Sequence, residues 1–206
     1  LINIDLKTGE QRTILQEKRW LGHPIYRPYD DTTVAFCHEG PRDAIDARMW
    51  LINQDGSNLR CVRQQQPGES FTHEFWVPDG SRIIFVSLNK KTHQRHICQT
   101  VAGRKRSEKV MAMPACSHLM SNFDGTLLVG DGSGTPVDVK DTSGYTIDND
   151  PYLYAFDVAK KAYFRIARHD TSWATVANSR QVTHPHPSFT PDDKAVLFSS
   201  DKDGKP

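Results

Sequence analysis

The chain of 206 residues contains no long apolar run: nothing in it approaches the roughly 20 residues that a membrane-spanning helix needs. No membrane partner is expected from such a chain, and no secretory leader is visible. It starts at Leu1 rather than a methionine, which leaves room for a preceding amino-terminal segment. An excess of either charge is also missing. With 26 Lys and Arg against 25 Asp and Glu, the formal net charge is +1, which argues against a surface that coats nucleic acid or another polyanion. Cysteine is sparse. Cys37, Cys61, Cys98 and Cys116 are scattered without a CxxC pair; reduced thiols in a cytoplasmic protein are the expected state, and two disulfides are the alternative. A helical period is absent throughout, and turn residues recur too often for long helices. What remains is an all-β chain.

Its strands come in two alternating motifs. The first is a hairpin: Leu1–Leu6 and Arg12–Leu15 around Lys7-Thr8-Gly9-Glu10, Met49–Asn53 and Asn58–Val62 around Gln54-Asp55-Gly56-Ser57, and Tyr152–Asp157 and Tyr163–Ala167 around a turn without glycine. The second is a histidine, a short strand, a Pro/Asp/Gly turn and a β-prone strand. It begins at His23, His73, His118 and His186, positions separated by 50, 45 and 68 residues. A period of about 40 to 50 residues with four short strands marks a β-propeller of four-stranded antiparallel blades. The longer interval holds Asp131–Pro136 and a polar segment to Asn149, which read as an inserted loop; Thr171–Arg180 reads as a second loop. The chain opens in the outer strands of one blade and stops after two strands of another. Residues 1–206 are therefore expected to be one partial propeller domain, truncated at both ends, with about three to four blades.

Gln181-Val182-Thr183-His184-Pro185-His186-Pro187 concentrates potential ligands. In extended backbone His184 and His186 face the same way, which makes half of a metal site or, alternatively, a strand end whose histidines only hydrogen-bond. If the repeated histidine opens the channel-lining strand of each blade, His23, His73, His118 and His186 converge near one mouth of the channel, with His184 beside them. His93 and His96 are expected in an exposed hairpin loop. His38 and His169 receive no metal role, and the role of His23 stays open.

Trp20–Pro24, Cys37–Gly40, Asp46–Trp50, Thr72–Trp76, Cys116–Met120, Gly130–Pro136 and Gln181–Phe189 together resemble the oligogalacturonate lyase family, across essentially the whole chain. That resemblance implies a seven-bladed propeller of bacterial pectin catabolism, with a divalent metal of the manganese type held by His118, His184, His186 and Gln181. It implies His73 as catalytic base and Arg48 as a substrate-binding or charge-neutralising residue. The substrate would be a short oligogalacturonate, chiefly digalacturonate, cleaved by β-elimination to 5-dehydro-4-deoxy-D-glucuronate. The chemistry is coherent. Removing the C5 proton of a uronate requires a neutralised carboxylate and a base within reach, and a Lewis-acidic ion and an imidazole supply these. The same ligands would also accept zinc, nickel or iron. Two rival readings are a non-enzymatic propeller scaffold and a metal-dependent hydrolase using the same histidines.

Overall fold

The computed structural model describes residues 1–41, 44–101, 107–133, 150–174 and 182–204. The chain packs as two compact units, Leu1–Lys109 and Val110–Pro206. It is an all-β propeller chain. In order, the strands are β1 (Ile2–Ile4), β2 (Gln11–Thr13), β3 (Trp20–Tyr26), β4 (Thr33–Glu39), β5 (Met49–Asn53), β6 (Arg60–Cys61), β7 (Glu69–Trp76), β8 (Arg82–Asn89), β9 (Arg95–Val101), β10 (Ser107–Met113), β11 (Cys116–Ser121), β12 (Leu127–Gly132), β13 (Tyr152–Asp157), β14 (Ala162–Arg168), β15 (Ser188–Phe189) and β16 (Val196–Leu197). Three four-stranded meanders, β3–β6, β7–β10 and β11–β14, are flanked by the two-stranded sheets β1–β2 and β15–β16. Blades and partial blades thus follow the repeat read from the sequence.

Each copy of the Pro/Asp/Gly turn folds for the same local reason. An aspartate carboxylate accepts the backbone N–H two residues on: Asp30 from Thr32, Asp79 from Ser81, Asp124 from Thr126 and Asp192 from Lys194. The residue after the aspartate in the last three copies has positive φ: Gly80 at 72°, Gly125 at 67° and Asp193 at 57°. At Gly80 the requirement is steric as well. A Cβ there would lie 2.5 Å from the carbonyl oxygen of Pro28, in the equivalent turn of the preceding blade. The glycine-free hairpin between β13 and β14 turns through Lys161 at φ 51°.

In the first unit, one core cluster joins the β3–β6 and β7–β10 sheets through Met49, Leu51, Val62, Phe71, Trp76, Ile83, Phe85 and Cys98. Val34, Phe36 and Ile52 form a second cluster, covered by Leu1, Ile14, Leu15, Leu21 and Trp50. The central strand β8 is buried from Ile83 to Ser87 and apolar over Ile83–Val86, as expected for a strand covered on both faces. All four cysteines are free thiols.

Three expectations need correction. In three of the four copies the repeated histidine does not open its strand; only His186 precedes one, β15. His23 and His73 lie inside β3 and β7, at register breaks between Gly22 and Ile25 and between Thr72 and Phe75, with φ of 50° and 55°. His118 lies at a similar break between Cys116 and Leu119. A bulge places one extra, unpaired residue in the strand and re-aims its side chain. Asp131 and Gly132 belong to β12 rather than to an inserted loop, and Gly134–Asn149 lie outside the described residues. His96 sits in β9 opposite Ser87, not in the loop that carries His93.

Phe85 is fully buried in β8 and meets Phe71 edge-to-face at 5.0 Å. Phe85→Ala is expected to cost about 3–5 kcal/mol in urea denaturation. A loss below about 1 kcal/mol would mean that this cluster is not the stabilising core.

Candidate metal centre

In the second unit, the bulge in β11 and the segment before β15 bring three imidazoles together. One ring nitrogen each from His118, His184 and His186 lies within 4.8 Å of the others. The ring centroids are 4.5 Å apart for His118 and His184, 3.6 Å for His118 and His186, and 4.3 Å for His184 and His186. Two such groups so close disfavour a proton on either. Burial, then the charge of His118, pulls His184 below the ordinary histidine value; burial, then His118 and His184, pulls His186 down to about 4. Both are therefore neutral donors at physiological pH, the form a metal requires. The indole of Trp173 is buried beside His184, with 6.2 Å between ring centroids.

Asp131 holds this cluster in place. Its side chain is fully buried and accepts three N–H groups: the backbone N–H of His118 at 2.7 Å, His118 Nδ1 at 2.8 Å and the backbone N–H of His186 at 3.2 Å. Burial opposes the charge on Asp131, but these bonds and the facing imidazole outweigh it and keep the carboxyl below its ordinary range. With Nδ1–H donated to Asp131, His118 presents Nε2 to an ion, the carboxylate–histidine arrangement usual around bound metals. The donor set fits a divalent cation of the first transition row. Gln181, the fourth expected ligand, lies outside the described residues.

The first unit holds a second polar cluster. Arg48, in the segment leading to β5, donates Nε and Nη2 to Glu74 at 2.8 and 2.9 Å, and Nη1 and Nη2 to Glu39 at 3.1 and 2.9 Å. Four of the five guanidinium N–H groups are thus taken by two carboxylates. Burial opposes every charge here, yet pairing prevails: Arg48 is pushed above its ordinary value, and Glu39 and Glu74 are held below theirs. A substrate carboxylate could not gain a bidentate pair from Arg48 without displacing a glutamate. His73, the residue before Glu74, is half-buried on its bulge. A cavity of about 190 Å³ is bordered by Arg48, Glu39 and Thr72, the last being the neighbour of His73 in β7.

The histidines left without a metal role have structural partners. His38 is buried, with Nε2 3.0 Å from Glu17 and its ring against Trp50. His169 is fully buried; its Nδ1 accepts the N–H of Thr171 and its Nε2 donates to the carbonyl of Asp150. Sequence reasoning missed Asp131, Glu39 and Glu74. All three lie inside quoted motifs, yet nothing in a single sequence distinguishes a buried acceptor from a turn residue.

The family model of oligogalacturonate lyase matches residues 1–206. The oligogalacturonate lyase of Dickeya dadantii (strain 3937) is 62% identical over 206 residues, which are 100% of this chain and 53% of that protein. The chain therefore spans about half the length of the curated relative it matches. Among solved structures, an oligogalacturonate lyase in complex with manganese superposes with a TM-score of 0.87 at 58% identity, covering 98% of this chain and 50% of that one. An oligogalacturonate lyase from Vibrio parahaemolyticus gives a TM-score of 0.88 at 52% identity, covering 98% of this chain and 52% of its own.

Two measurements test the centre. Asp131→Asn should weaken divalent-cation binding by about 10- to 100-fold in calorimetric titration while the β-sheet circular dichroism is retained; an unchanged Kd would remove Asp131 from the site. The depressed His184 and His186 should also make the metal-free fold acid-sensitive. Their neutral forms contribute stability above the ordinary histidine value of about 6.5, and this is lost as pH falls towards about 4, because the unfolded chain takes the protons more readily. The melting temperature should fall across that window, and His186→Asn should flatten the fall.

Proposed function

The chain belongs to the oligogalacturonate lyase family, and from that premise we propose that it carries the metal site and the base of a lyase that cleaves short oligogalacturonates, chiefly digalacturonate, by β-elimination. The observation that carries this reading is the three-histidine cluster oriented by Asp131. On this reading His118, His184 and His186 hold the ion, with Gln181 as the fourth ligand. Manganese is the proposed ion, since the structural relative at 58% identity is described as a manganese complex. When bound, the ion would supply Lewis-acid neutralisation of a uronate carboxylate. Three imidazoles and an amide are all neutral donors and leave its charge undiminished.

The remaining steps fall to side chains of this chain. His73 is proposed as the base that takes the C5 proton; an imidazole suits proton abstraction near neutral pH. The O4 leaving group then departs, taking up a proton to become a hydroxyl, and a 4,5-double bond forms; ring opening and enol-to-ketone tautomerisation of the unsaturated monosaccharide give 5-dehydro-4-deoxy-D-glucuronate. Arg48 is proposed as a charge-neutralising residue. Its pairing with Glu39 and Glu74 reduces two negative charges to one where an anionic substrate would otherwise meet both. The protein is proposed to work in the cytoplasm, with residues 1–206 forming part of one propeller domain. A scaffold role leaves the buried Asp131 and the crowded imidazoles without a purpose, and a hydrolase would leave no unsaturated product.

Mixing the Mn²⁺-loaded protein with digalacturonate should raise the absorbance of the unsaturated uronate. His73→Ala should abolish that signal with metal content intact. Saturated products alone would point to the hydrolase, and loss of metal in His73→Ala would refute its assignment as base.

A further inference from the structure

The geometry points to a second cation site, built by His23, Cys37 and Glu39 in the first unit and suited to thiophilic divalent ions such as Zn²⁺ and Cd²⁺. One ligand atom from each of the three lies within 4.8 Å of the others. Cys37 Sγ is 3.3 Å from Glu39 Oε1, and His23 Nε2 is 3.6 Å from the same oxygen. A tetrahedral ion with zinc-like bonds to sulfur, nitrogen and oxygen separates such ligand pairs by about 3.4–3.6 Å. The ligands therefore already stand near their metal-bound spacing.

The backbone is shaped to this end. Cys37 and Glu39 point to the same face of β4, two residues apart. Gly22, paired with Cys37 in the neighbouring strand, has no side chain to keep them apart; a Cβ there would lie 2.7 Å from Glu39 Cγ and 3.5 Å from Cys37 Sγ. The bulge that follows puts His23 in the left-handed region, and its ring lies between two carboxylates. Glu74 Oε1 is 3.2 Å from His23 Nδ1. With Nδ1–H donated to that carboxylate, Nε2 is left for an ion, as a carboxylate partner does for metal-bound histidines.

Charge also balances. Glu39 and Glu74 carry two negative charges and Arg48 one positive, so these three groups start at −1, beside a protonated thiol. Binding replaces the thiol proton with a divalent ion: the S–H bond breaks, a metal–sulfur bond forms, and one proton goes to solvent. The cluster becomes neutral. Cys37 is buried while His23 is exposed, so the ion arrives and exchanges on the His23 side. Thiolate selects soft ions, whereas the all-imidazole centre in the other unit lacks sulfur. A thiolate-to-metal band therefore marks this site even for an ion that the imidazole centre also accepts.

The test is a Cd²⁺ titration of the protein kept in excess Mn²⁺. One equivalent should produce a thiolate-to-cadmium charge-transfer band in the near ultraviolet with release of one proton per ion. Cys37→Ser should remove the band. Because Cys37 is buried, His23→Ala provides a second variant whose fold is not at risk; it should weaken Cd²⁺ binding at least about tenfold and leave Mn²⁺ affinity unchanged. No band in the parent protein, a band that survives in Cys37→Ser, or undiminished Cd²⁺ affinity in His23→Ala would each overturn the site. So would a Mn²⁺ affinity that fell together with the band.

Discussion

The candidate centre depends on one buried carboxylate. Asp131 has no exposed side-chain surface, and an ionised group in that position is tolerable only if its lone pairs are used. It accepts two N–H groups from His118 and one from His186, residues 68 positions apart in the chain. The same three bonds thus compensate the desolvated charge, set the His118 tautomer and tie the β11 bulge to the segment before β15. A second tie runs between turns of the same unit, where the Asp193 carboxylate accepts the backbone N–H of Phe123 at 3.1 Å. Preorganisation of this kind reduces the ordering that ion binding would otherwise require.

The first unit solves a related problem with a guanidinium as the donor. The Glu39 and Glu74 side chains have little exposed surface, and one guanidinium, whose planar fork serves both, offsets one of their two charges. Removing Arg48 would leave two carboxylates facing each other uncompensated, whereas removing either glutamate would leave a neutral pair. This changes the meaning of Arg48. Its presence in the sequence suggests an anion receptor, yet its donors are already committed. A group's identity in the sequence states what it could bind; only its neighbours state what it does bind.

That distinction explains what was legible in advance. The blade repeat was readable because it is local. Each Asp-containing turn closes through its own carboxylate, and each strand's apolar pattern is a property of adjacent residues. His184 and His186 were readable for the same reason. The placement of His23 and His73 was not, because a bulge depends on how two strands pair and not on the composition of one. Asp131 was misread as a loop residue because Gly130, Gly132 and Ser133 around it are turn-like. In the structure a Cβ on Gly132 would meet the Asp150 carbonyl at 2.4 Å, so that glycine serves close packing at the end of a strand.

On the proposed reading, the neutralising charge comes from the ion and not from a free Arg48. An elimination at a uronate needs positive charge on the carboxylate, and Arg48 cannot offer a bidentate pair while it holds both glutamates. Freeing it would strand a buried carboxylate, at a cost of several kcal/mol. The charge must come from the ion instead, and the donor set suits that demand because imidazoles contribute no negative charge of their own. Asp131 does carry one, but it acts through His118 Nδ1 and not through direct ligation. Keeping the carboxylate one residue removed from the ion preserves orientation without surrendering the Lewis acidity that the reaction would require.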